Sequence, residues 1–331
     1  MRMLVALSIV SLVACGPPPE PVEPVLTADP PVGGAEGLSS GTASTELQRA
    51  IAYIKNEKYE DAKTHLGKAL AEKPDHAEAN YYMGLSVDML GDKKAAETFY
   101  KKALATDPSM IEAATNLAAM YLEDPPRPDE AIAVLAKAVE KVPDDVGLQQ
   151  NLGYAYGLKK DFVNAGKAYE AALAKGENKD IRFAYGVLLF EANEMAKAAE
   201  QLKKAVDTTK DAPTLVTIGR MLGKAGAYGE CVRAFDEALK IKTDPEWLVR
   251  RGTCKHEVND EPGARSDFEA AIKADPKFAT AHYYLGMSLS LEKKSRVSAM
   301  ASLEKAAKLG EGTEIGTKAK EKLKEMAKQK P

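Results

Sequence analysis

The chain has 331 residues, 45% hydrophobic and 29% charged, with a formal net charge of −3. That is enough apolar material for a large core, and the near-neutral balance argues against nucleic acid as the main partner. Mean hydropathy is below zero, and no apolar run after the N-terminus is long enough to span a bilayer. Helix formers dominate and strand-like alternation is absent, so the expected class is all-α.

Met1-Arg2-Met3 supplies a small positive start, and Leu4 to Val13 is an apolar run too short for a transmembrane helix. Leu12-Val13-Ala14-Cys15 comes at its end. This resembles the lipobox of bacterial lipoproteins, where small residues precede a cysteine that is lipidated and becomes the new N-terminus. An ordinary secretory signal with an incidental cysteine is the alternative. The resemblance implies a signal peptide over residues 1–14 and lipid attachment at Cys15. Several acyl chains would then hold the protein on a membrane, since one chain anchors only marginally. By the same resemblance, Gly16 in place of an aspartate implies the outer membrane facing the periplasm, anchoring in the inner membrane being the alternative. From 15 to 43, proline, glycine and serine are too dense to build a core, so this stretch is expected to be an extended and then flexible leash.

Residues 44–312 repeat. The clearest unit runs from Ala77 to Met110. Counting from Ala77, a bulky apolar residue stands at position seven (Met83) and a glycine at eight (Gly84). Alanines stand at twenty (Ala96) and twenty-seven (Ala103), an aromatic at twenty-four (Tyr100) and a proline at thirty-two (Pro108). Small residues let two antiparallel helices approach, and bulky ones fill the gaps between them. Gly91-Asp92 punctuates the turn, and Asp107-Pro108 ends the second helix. The pattern resembles the tetratricopeptide repeat, a helix–turn–helix of about 34 residues.

An atypical first unit precedes it, with Leu47, Ile51 and Ile54 and then Ala62, Leu66 and Ala69. The third carries Leu117, Ala118 and Leu135 around an altered turn, Glu123 to Glu130, which reads either as a protruding contact loop or as a tolerated insertion. The fourth to sixth present Gly153 with Tyr169, Gly186 with Leu202 and Gly219 with Phe235. The seventh has Gly252 and Phe268 but Arg251 where a large apolar residue is usual; the eighth has Gly286 and Leu303 with one extra turn residue. In residues 313–331, Ile315, Ala319, Leu323 and Met326 line one helical face and lysines the other. A capping helix is the expectation and a basic strip on anionic lipid its rival. The resemblance thus implies a tetratricopeptide-repeat α-solenoid of about eight repeats with a C-terminal cap.

No catalytic set and no metal spacing stand out: His65, His76, His256 and His282 are scattered, and Cys254-x-His256 is a weak pair. Neither metal nor cofactor is expected. Repeats and leash take up the chain, which leaves an enzyme without room. Cys231 and Cys254, on adjacent packed helices of the sixth and seventh units, invite a disulfide in an oxidising compartment; two small core residues are the alternative.

Function is then expected on a surface. In tetratricopeptide proteins the first (A) helices of the repeats line a concave groove. The corresponding positions here are Tyr81, Tyr82, Leu85, Asn116, Asn151, Tyr154, Phe183, Phe190, Arg220, Arg250, Tyr283 and Tyr284, with acids early in the chain and bases late. Some relatives bind chaperone tails through a lysine/asparagine/arginine carboxylate clamp. Asn116 and Asn151 fit its asparagine position, but the flanking bases are out of register, so that activity is not carried over. The chain is similar in architecture to lipoproteins that help secretin rings of type IV pili, or envelope motility machines, to assemble. This implies an adaptor for bacterial envelope proteins, a plain periplasmic spacer being the alternative.

Overall fold

The computed structural model describes residues 42–123 and 125–328. The signal, Cys15 and most of the leash lie outside the described residues. Within them the chain is all α-helix apart from turns and one short 3-10 segment. The order is α1 (Thr42–Lys55), α2 (Tyr59–Glu72), α3 (Ala77–Met89), α4 (Lys93–Thr106), α5 (Ile111–Leu122), α6 (Pro128–Lys141), α7 (Val146–Leu158), α8 (Phe162–Ala174) and α9 (Lys179–Glu191). Then come α10 (Met195–Thr208), α11 (Ala212–Lys224), α12 (Tyr228–Ile241), α13 (Pro245–Glu257), α14 (Glu261–Ala274), α15 (Ala279–Leu289), α16 (Arg296–Leu309) and α17 (Glu314–Lys328). Odd-numbered helices up to α15 are the A helices of eight repeats, and their even-numbered followers the B helices. The first helix starts at Thr42, two residues before the expected solenoid boundary. No described helix is long and apolar enough to cross a membrane.

The described chain divides into two compact units, one ending at Ala184 and one starting at Tyr185. In the N-terminal unit α1 packs on α2, α3 on α4, α5 on α6 and α7 on α8, and α2, α4 and α6 each also contact the next A helix. Its core runs through Ala50, Leu66, Tyr100, Leu117, Leu135 and Leu148, all fully buried. The C-terminal unit repeats the scheme from α11 to α16. There α17 lies against α15 and α16 with Ala319 and Met326 buried, so its apolar face is occupied by the protein itself.

Position eight explains the helix pairing. A Cβ built on Gly84 would lie 2.7 Å from the Tyr100 ring, on Gly219 2.8 Å from Phe235 and on Gly252 2.5 Å from Phe268. Gly186 and Gly286 meet Leu202 and Leu303 at 2.6 and 2.7 Å in the same way. Gly252→Ala should therefore force Phe268, held between Gly252 and the stacked Tyr284 ring, out of place. Overpacking of about 1–3 kcal/mol exceeds the helix-propensity gain of about 1 kcal/mol, giving a net loss. Gly67, on the exposed side of α2 with nothing within 4 Å of a built Cβ, is the counter-case. Gly67→Ala should gain about 0.5–1 kcal/mol in urea unfolding. Stabilisation by both changes would refute the packing account.

The turns obey a second rule that the residue pattern hides. Position fifteen has positive φ in six repeats: Glu57 (57°), Gly91 (90°), Lys160 (60°), Asn193 (60°), Gly226 (76°) and Asn259 (63°). Glycine and asparagine adopt this left-handed region readily; glutamate and lysine do so at a cost of about 1 kcal/mol. Lys160→Gly should raise stability by about 0.5–1 kcal/mol, read as a higher denaturation midpoint. The third and eighth repeats, which carry the insertions, turn differently. Pro128 opens α6 at its first turn, where a missing N–H costs little, and a 3-10 turn over Lys293–Ser295 absorbs the extra residue before α16. Arg127 folds back over the Tyr121 ring at 4.3 Å and bonds Glu97 at 3.2 Å, which favours a tolerated insertion over a protruding loop.

Candidate partner-binding surface

Of the groove residues expected from the sequence, three belong to the core. Tyr81, Leu85 and Asn116 are buried. The Tyr81 ring packs against those of Tyr82 and Tyr100, with centroids 5.0 and 6.1 Å away. Asn116 Nδ2 donates to the Tyr100 hydroxyl at 3.5 Å. Burial pushes the Tyr81 and Tyr100 phenols up, so both stay neutral. The physical reason is that Tyr81 from α3 and Asn116 from α5 both turn towards Tyr100 on α4, the B helix packed between them.

The other groove residues are half-buried on A helices: Tyr82, Asn151, Tyr154 and Phe183 in the N-terminal unit, and Phe190, Arg220, Arg250, Tyr283 and Tyr284 in the C-terminal unit. Burial raises the Tyr154 and Tyr283 phenols, and in Tyr82 burial is assisted by the nearby charges of Glu78 and Glu112. Protonated phenols of this kind offer apolar area and a donor together.

Among the described residues each unit has a cleft lined by A-helix residues. The N-terminal cleft, about 680 Å³, is bounded by Tyr81, Tyr82, Glu78 and Glu112 and by the inter-repeat loops through Asp75 and Asp107. The loop residues escape a reading confined to A-helix positions; their Asp-Pro and Asp-His steps were the available signal. The C-terminal cleft, about 260 Å³, lies between α11 and α13. Arg220 and Lys224 come from one side and Arg250, Thr253 and Glu257 from the other, over a floor of Phe235, Cys231 and Cys254.

Those two cysteines form a disulfide, with Cα atoms 6.2 Å apart, that ties α12 to α13. Cys231 takes the position-twenty place of alanine, and Gly223 leaves room beside both sulfurs: a Cβ there would lie 3.4 and 3.5 Å from them. His256 is paired with Glu261, so Cys254-x-His256 holds no common ligand. Arg251 is also accounted for. Its guanidinium grips Asp267 through two bonds of 2.9 and 2.5 Å and reaches Asp236 at 2.7 Å.

A family profile described as tetratricopeptide repeat matches residues 47–111, 117–180, 161–213 and 259–312. Hsp70-Hsp90 organizing protein 1 of Glycine max is 27% identical over 207 residues, covering 57% of this chain and 34% of that one. Stress-induced-phosphoprotein 1 of Caenorhabditis elegans is 26% identical over 220 residues, covering 62% and 64%. The chain thus spans between a third and two thirds of the length of these curated relatives. A solved structure titled "Structure of Naa15/Naa10 bound to HypK-THB" aligns with a TM-score of 0.51 at 14% identity, over 87% of this chain and 46% of that one, a likeness of fold alone. Signature positions, helix pairing and profile agree: the chain belongs to the tetratricopeptide repeat family, an all-α solenoid that serves as a scaffold for protein–protein contact.

Proposed function

We propose that this protein is a lipid-anchored adaptor that holds other bacterial envelope proteins on its A-helix face during assembly of a larger complex. The observation that carries the reading is the set of half-buried A-helix rings, Tyr82, Tyr154 and Phe183 in one unit and Phe190, Tyr283 and Tyr284 in the other. Large amphipathic rings that are neither buried nor free are the anchor type of protein interfaces. The lipobox-like Leu12-Val13-Ala14-Cys15 supports anchoring at Cys15, with the proline-rich leash letting the repeats stand off the membrane. A disulfide fits an oxidising compartment such as the periplasm. One relative is named for organizing Hsp70 and Hsp90. An organizing role is carried over here, its clients being envelope proteins such as those of a secretin, pilus or motility machine.

Photocrosslinking from position 154 in the native envelope tests the adaptor, with Lys167 on α8 as control. A discrete adduct from 154 alone identifies the client; adducts from neither position, at normal protein level, favour a spacer. Anchoring has a separate test. Cys15→Ser should abolish labelling by radioactive fatty acid and move the protein from the membrane to the soluble fraction.

A further inference from the structure

The cleft between α3 and α5 in the N-terminal unit carries charge that the protein leaves unmatched. Asp75, Glu78, Asp107 and Glu112 line it with a single base, Lys73, which leaves about −3 with histidine neutral. Among the described residues no lysine or arginine makes an ion pair with any of these carboxylates. Asp107 is committed to its own loop, accepting from the Ser109 amide at 2.9 Å and from the Ser109 hydroxyl at 2.6 Å. Glu78 and Glu112 have no such commitment. Both are half-buried, and they hold position two of successive A helices. The seventh repeat shows the contrast. Its position-two residue, Glu246, is bonded by Arg250 one turn later, whereas Glu78 has Tyr82 in that place and Glu112 has Asn116. A partly desolvated carboxylate without a counter-charge favours a cation beside it, and a cleft lined by one sign of charge concentrates the opposite one.

We propose that this cleft receives a lysine or arginine side chain of a protein client, its cation beside Glu78, Glu112 and the Tyr82 ring. The inference rests on the A-helix face being the client surface, and adds the chemistry that the client brings. Tyr82 stands among the acids: burial, and then the charges of Glu78 and Glu112, push its phenol up. An aromatic face attracts a cation through its quadrupole, so ring and carboxylates act in the same direction. Ala77 and Met110 add apolar wall for the aliphatic stem that carries such a cation. The described residues form no group of three His, Cys, Asp or Glu side chains able to hold a metal ion, so the arrangement suits an organic cation. At about 680 Å³ the cleft admits a long side chain with peptide backbone on either side of it.

The test is fluorescence anisotropy of a labelled, N-acetylated peptide amide, Gly-Gly-Lys-Lys-Gly-Gly, titrated with the full chain at fixed ionic strength. Norleucine in place of lysine keeps the stems and drops the charge; glutamate reverses it. Saturable binding of the lysine peptide is expected, about tenfold tighter than either control and weaker at higher salt, which screens such charges. Glu78→Gln and Glu112→Gln should each weaken it about threefold to fivefold, the size of one partly exposed charge pair. Tyr82→Leu should cost a similar factor and Tyr82→Phe almost nothing, since phenylalanine keeps the ring face. Glu60→Gln should change nothing, because Glu60 is exposed on α2 and already pairs with Lys63. Helical circular dichroism and its melting midpoint check that each variant folds. Unsaturable binding, equal binding of the norleucine and lysine peptides, or equal losses in Glu60→Gln and Glu78→Gln would each overturn the site. Self-association that Glu78→Gln abolishes would overturn the client, since a second copy of the chain would then be the occupant. Failure of the lysine peptide beside a discrete adduct from position 154 would strike the cleft alone. Peptide binding without that adduct would strike the adaptor and leave the cleft's preference for the cation standing.

Discussion

Arg251→Leu should destabilise the seventh repeat by about 2–4 kcal/mol, even though it installs the apolar residue usual at position seven. Asp267 is the reason. Its side chain is 4% exposed, and it is held by Arg251 from one side and by Lys255 at 2.9 Å from another. Burial alone would lower the Arg251 pKa, yet Asp267 and Asp236 raise it, so the cation is fully held. Removing it leaves a buried carboxylate with half its partners, and breaking one side of a buried pair costs more than the pair itself contributes. The double change Arg251→Leu with Asp267→Ala should recover most of the loss. It restores an apolar residue at position seven over alanine, the residue that stands opposite in the fourth and sixth repeats (Ala168, Ala234). Urea unfolding followed by Trp247, which lies on α13 beside this network, measures both. A double variant no more stable than Arg251→Leu would sink the account.

Reducing the disulfide, or replacing both cysteines with alanine, should lower the Trp247 midpoint by an amount equivalent to about 3 kcal/mol. The bond closes a loop with a sequence separation of 23 and ties the B helix of the sixth repeat to the A helix of the seventh. In a stacked array each repeat contacts only its neighbours, so a covalent tie at one junction resists opening there. Thiol counting under denaturation comes first: oxidised protein should show neither Cys231 nor Cys254 as free thiol. An unchanged Trp247 midpoint after reduction would mean that packing alone holds the junction.

The repeat was legible because its constraints are local and periodic. Gly84 and Tyr100 stand sixteen residues apart for a geometric reason: two short helices and one turn bring those positions together, and a Cβ at 2.7 Å would push them apart. Six of the eight repeats write that requirement again with a glycine at position eight, so the sequence alone determined the helix pairs and their register. Tertiary structure decided the rest. Tyr81 and Tyr82 are adjacent, alike and both at groove positions, yet one is core and the other half-open, because Tyr81 lies against Tyr100 of α4. Arg251 looked like a lapse in the pattern until Asp267 and Asp236 came within reach from two other helices. The disulfide depended on a Cα separation, and the acidic cleft on carboxylates of two repeats lining one space. A period in the sequence records what each helix needs from its own partner; distances and charge pairing across the stack arise only when different repeats meet.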